Sequence, residues 1–128
     1  MVITVSELTL MQQFYDLVVT VEDGFEFVAH SYEEGVSTPV TDRVLLDILS
    51  SFEQFSTAIP QLVDLIEDDE QTTNALYAFN EVLELLVKLE EDTKGKEQRL
   101  AEIYARLAPM YITWKQQVEL QLKPYLVQ

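Results

Sequence analysis

From about Ser6 to Glu34 the apolar residues Leu10, Phe14, Leu17, Val21, Phe25, Val28 and Tyr32 recur in alternating steps of three and four. That spacing keeps side chains on one side of an α-helix. Ser6 is a suitable N-cap, and Gly35 with Pro39 supplies a stop. The run Leu17-Val18-Val19-Thr20-Val21 has strand propensity, but the helical spacing continues on both sides of it and predicts helix. After the turn-like stretch Gly35-Val36-Ser37-Thr38-Pro39-Val40, Thr41 can cap a second helix whose stripe is Leu45, Leu49, Phe52, Phe55, Ile59, Leu62 and Ile66. Pro60 lies within that stripe and predicts a kink or a short break between Ala58 and Gln61.

The polar run Glu67-Asp68-Asp69-Glu70-Gln71-Thr72 reads as a connector. A third helix from about Thr72 to Glu91 carries Leu76, Phe79, Leu83 and Leu86, widened by Val82 and Leu89, and Gly95 is placed for a left-handed C-terminal cap. The fourth starts near Glu97 and repeats Leu100, Tyr104, Leu107, Tyr111, Trp114 and Val118, with a second kink expected at Pro109 and Pro124 near its end. Four stripes joined by connectors of about six to eight residues predict an all-α fold, an antiparallel up-down-up-down four-helix bundle. The chain of 128 residues forms one domain, 1–128.

Composition narrows the function. At 48% hydrophobic and 10% aromatic the chain can build a core, so its charge of −15, from 23 acidic and 8 basic side chains, is carried by a folded body. Direct binding to nucleic-acid phosphates or to an anionic membrane needs Lys and Arg, which are scarce here. There is no cysteine, and His30 is the single histidine. Disulfides, a thiolate nucleophile and Cys- or His-based zinc sites are thereby excluded. The first residues, Met1-Val2-Ile3-Thr4-Val5-Ser6-Glu7, lack the basic and apolar segments of an export signal, and no stretch approaches the length of a membrane span, so a cytoplasmic location is expected.

Little catalytic machinery can be assembled from what remains. A di-iron carboxylate bundle needs two Glu-x-x-His pairs, whereas Glu26 and His30 are four apart and no second histidine exists. Two Glu-x-x-Glu pairs, Glu81 with Glu84 and Glu67 with Glu70, could hold magnesium, and all-α nucleotide pyrophosphohydrolases use paired acidic motifs on neighbouring helices. The matching Glu-x-x-Asp pair downstream is missing, and a solvated surface is the better reading. Asp64, Glu67, Asp68, Asp69 and Glu70 lack the central Gly of a calcium loop. Gly24, Gly35 and Gly95 are too dispersed for a phosphate-cradling loop. No catalytic residue, cofactor or metal site is predicted.

Two features stand out. Residues 1–87 hold 17 acids and one base, Arg43, whereas residues 88–128 hold 6 acids and 7 bases. Like charges on neighbouring helix positions, such as Glu22 with Glu26, each cost about 0.2–0.5 kcal/mol, so this distribution does not serve stability. It suits either solubility or the steering of a basic partner. The second is surplus apolar surface: Tyr15, Val19 and Phe27 lie off the main stripe of the first helix, and Tyr125 and Leu126 follow Pro124. Together these five residues are a candidate patch for a basic or amphipathic partner helix, or a homodimer interface. In size, charge and helicity alone the chain resembles the small acidic helical chaperones of flagellar and type III export. The expectation is a protein–protein interaction module, as an adaptor, an inhibitor or an export-type chaperone. The alternatives are a nucleic-acid mimic that occupies a basic protein's groove and, behind it, a magnesium-dependent nucleotide hydrolase using Glu81 and Glu84.

Overall fold

The computed structural model describes residues 4–35, 38–66 and 68–127. Val36, Ser37 and Glu67, and with them the Glu67–Glu70 pair and part of the first turn, lie outside the described residues, as do Met1, Val2 and Ile3. Four helical rods are present. The first is α1 (Val5–Glu33) and the second α2 (Pro39–Leu65). The third is divided into α3 (Glu70–Tyr77) and α4 (Phe79–Asp92), and the fourth comprises α5 (Lys96–Glu102), a π-helical turn (Ile103–Leu107) and α6 (Ala108–Leu126). α1 packs on α2 and α6, α6 packs on α3 and α4, and α2 meets α3. This is the antiparallel four-helix bundle that the periodicity predicts.

The helix starts differ from expectation in instructive ways. Thr4, not Ser6, caps α1, its Oγ1 accepting the Glu7 amide at 3.1 Å. Thr38 caps α2 and forms a reciprocal box with Thr41. Pro39 therefore opens the helix instead of closing the turn, since its missing N–H falls where no helical partner exists. Thr41, expected as the cap, is fully buried and also donates to Ser31 Oγ on α1 at 3.2 Å. Gly95 has a positive φ of 90°, but it precedes α5, while Thr93 ends α4.

The prolines act unequally. α2 runs without a break through Pro60. Pro60 and Ser56 are both on the exposed side, so the Ser56 carbonyl that loses its donor is solvated. Pro109 is preceded by the π-helical turn, in which the Ala108 amide donates to the Ile103 carbonyl, five residues back. The extra residue in that turn makes room for the ring against the preceding backbone. Within that turn Ile103 takes the buried position, and Tyr104, expected on the stripe, is half-buried with its ring tilted against Tyr32 at a centroid distance of 4.7 Å.

The core is aromatic. Phe14 and Phe25 from α1, Phe52 and Phe55 from α2, Phe79 from α4, and Tyr111 and Trp114 from α6 form one connected group. Two of its members carry polar atoms, and both find backbone carbonyls. Tyr111 Oη donates to the Val18 carbonyl at 2.8 Å. Trp114 Nε1 donates to the Ala75 carbonyl at 3.0 Å, the group that would accept from the Phe79 amide in an unbroken helix. The division between α3 and α4 falls at this point.

Tight packing elsewhere rests on Gly24, where a Cβ would stand 3.2 Å from Ile48 Cγ1 and 3.5 Å from Val44 Cγ1. Here α1 and α2 leave little room for a side chain at position 24. Gly24→Val is expected to lower stability by about 1–3 kcal/mol in urea unfolding, because branched methyls overpack this crossing. Gly24→Ala is expected to be much milder, since a gain in helix propensity of about 1 kcal/mol offsets the crowding.

Candidate functional site

The five residues nominated from sequence do not form one surface. Tyr15 and Leu126 line a groove of about 440 Å³ between α1 and α6, together with Gln12, Asp16, Glu119 and Lys123. Val19, one turn beyond Tyr15, is half-buried. Phe27, twelve residues after Tyr15 and hence about 120° round the helix, is 41% exposed on the outer side of α1. Tyr125 lies about 100° from Leu126 and turns to α3, donating to Asp69 Oδ2 at 2.6 Å.

An ionic ladder closes the α1–α6 seam beside the Tyr15 groove. Lys115 Nζ lies 2.9 Å from Glu119 and 3.3 Å from Glu22 across on α1. The bond to Glu119 raises the Lys115 pKa more than burial lowers it, and Glu22 adds to the rise. The same lysine, helped by the Tyr15 hydroxyl, holds the Glu119 carboxyl below its ordinary range. Burial, reinforced by Glu119, pushes the Tyr15 hydroxyl up. Lys115 and Glu22 fasten the two rods and are largely covered by them, whereas Glu119 stays open to solvent.

A larger groove, of about 600 Å³, was not among the sequence candidates. It lies between the first half of α2 and the α4–α5 turn. Leu45, Leu46, Leu49 and Leu100 supply its apolar lining. Two ion pairs stand at its mouth, Asp42 with Lys96 at 2.7 Å and Glu90 with Arg99 at 3.1 Å. The groove exists because α2 is packed along α1 while α4 is packed on α6, which leaves the α2–α4 seam loosely filled. Leu45 and Leu49, expected as core, are therefore half-buried, and Leu46 is 64% exposed. Ile48 takes the inward position instead. The adjacent pair Leu45-Leu46 with Leu49 spans too wide an arc for one stripe, which was the available signal.

A third groove, of about 440 Å³, separates α4 from α6 and is lined by Ala78, Val82, Pro109, Met110 and Trp114 with Glu81 at its edge. Glu81 and Glu84 are both exposed on α4. Among the described residues no three Asp, Glu or His side chains converge as metal ligands. No helix among them is long and apolar enough to cross a membrane.

Fold and surface together define an acidic four-helix bundle whose exposed features are grooves between rods. The chain belongs to the family described as a domain of unknown function, DUF8042, whose model matches residues 9–117 and so takes in all four rods. Neither the curated proteins nor the solved structures contain a significant match.

The Asp69 contact yields a pH prediction. Hydrogen bonds from Thr72 and then from Tyr125 hold the Asp69 carboxyl below its ordinary value of 3.8. Burial, with Asp69 beside it, pushes the Tyr125 hydroxyl up to about 12. Stability from the lowered carboxyl is present above the ordinary aspartate pKa and is lost as acid protonates it. Stability from the raised hydroxyl is present below pH 10 and is lost as pH climbs toward about 12. Tyr125→Phe is expected to cost about 1 kcal/mol at neutral pH and to make both the acid and alkaline limbs of a stability-versus-pH curve shallower.

Proposed function

We propose that this chain is a non-catalytic protein-interaction module, of adaptor, inhibitor or export-chaperone kind, acting in the cytoplasm on a basic partner. One observation carries the reading: the outer side of α1. This helix of 29 residues contains no Lys or Arg. Asp16, Asp23 and Glu26 are exposed along it, and Phe27 is 41% exposed beside them. Carboxylates concentrated in this way repel one another and stabilise nothing locally, but they attract a cationic surface over about 8–10 Å at ordinary ionic strength. Phe27 then offers an apolar anchor of the type that dominates binding energy once water is excluded. The partner that fits is an amphipathic helix with Lys or Arg bracketing an apolar stripe.

The alternative, mimicry of nucleic acid, rests on the same carboxylates and differs in what the partner does with DNA. Affinity capture with the full chain at about 50 and about 500 mM salt should recover a basic protein whose binding weakens at least roughly tenfold at the higher salt. Phe27→Ala should weaken it further without altering the thermal unfolding of the bundle. Retention that ignores both salt and Phe27→Ala overturns the proposal. Competition by duplex DNA for the captured partner would select the mimic; simultaneous binding would select the adaptor.

A further inference from the structure

We infer that the groove between α2 and the α4–α5 turn is a self-association surface, and that its occupant is a second copy of this chain. This goes beyond the proposed partner of α1 and does not depend on it. Charge chooses the occupant. Two copies, each carrying −15, repel at a distance, so they can touch only where the local excess vanishes. Glu81 is the one charged residue lining the α4–α6 groove, and α1 carries carboxylates with no Lys or Arg to offset them. The α1–α6 groove has Asp16 and Glu119 against Lys123. At the α2 groove the lining charges cancel: Asp42 and Glu90 face Lys96 and Arg99.

Shape supports the same choice. A two-fold contact brings one patch against itself, so the patch must contain both a projection and a recess. Here Leu46, 64% exposed, projects from the lip of a recess of about 600 Å³ lined by Leu45, Leu49 and Leu100. In a two-fold pair the Leu46 side chain of each copy enters the recess of the other. The four charged side chains at the mouth are 38% to 59% exposed, which leaves them free to pair across the contact as well as within one chain.

Salt dependence separates this surface from the acidic side of α1, because the two have opposite signs. Sedimentation velocity on the full chain should show a monomer–dimer equilibrium that tightens by roughly tenfold between about 50 and about 500 mM salt, as repulsion between the copies is screened. Leu46→Asp should leave only monomer with unchanged thermal unfolding, while Phe27→Ala should leave the dimer intact. A charge exchange provides a second test that keeps every leucine: Lys96→Glu and Asp42→Lys should each be monomeric alone and should dimerise when mixed. A chain that stays monomeric at about 0.5 mM in high salt overturns the inference and assigns the groove to a foreign partner. So does a dimer indifferent to Leu46→Asp, or a mixture that fails to pair.

Discussion

The bundle depends on an aromatic cluster that all four rods enter and on the two hydrogen bonds that make it tolerable. Tyr111 is fully buried, and burial drives its hydroxyl strongly toward the protonated form. A buried donor without an acceptor would be costly, and the second lone pair of the Val18 carbonyl on α1 supplies one. The Trp114 indole is satisfied by the Ala75 carbonyl on α3, at the place where the third rod gives up its regular bonding. Helix α6 is thereby fixed in register against α1 on one side and α3 on the other. Hydrophobic packing alone would permit several rotations of these rods; the two carbonyls permit one.

Much of this was legible in the chain. The three-four periodicity located all four rods, because a buried helical side is a statistical property of many residues and survives local exceptions. What it missed were matters of one residue. Leu10 and Leu17 yielded the centre of the α1 stripe to Met11 and Val18, since α1 is packed from two directions and its buried arc is wide. Thr38 displaced Thr41 as the cap of α2 because Pro39 is better placed inside the first turn than before it. Tyr104 yielded its place to Ile103, which fits the three-four spacing between Leu100 and Leu107 equally well, so period alone could not choose between the two neighbours.

Surface features were less legible, for a physical reason. Periodicity tells which side of a helix is apolar, but whether a neighbouring helix covers that side depends on how the rods diverge. Tyr15 and Leu126 do meet, yet Phe27 and Tyr125 point elsewhere, because residues that all lie off the main stripe need not lie off it in the same direction. The α2 groove went unnoticed because Leu45 and Leu49 satisfy the core pattern; only the loose α2–α4 seam leaves them half-covered. The charge asymmetry, by contrast, could be located from sequence directly, since carboxylates on helix exteriors stay where the helices put them.

Trp114 is the chain's single tryptophan, and it sits where all four rods converge while its ring also borders the α4–α6 groove. The molecule is thus supplied with its own optical probe. A buried indole bonded to a carbonyl emits differently from one in water, so assembly of the whole bundle can be followed at one wavelength without a label. Because the same ring lies beneath a groove, an occupant of that groove would register in the emission while leaving the circular dichroism of the helices untouched.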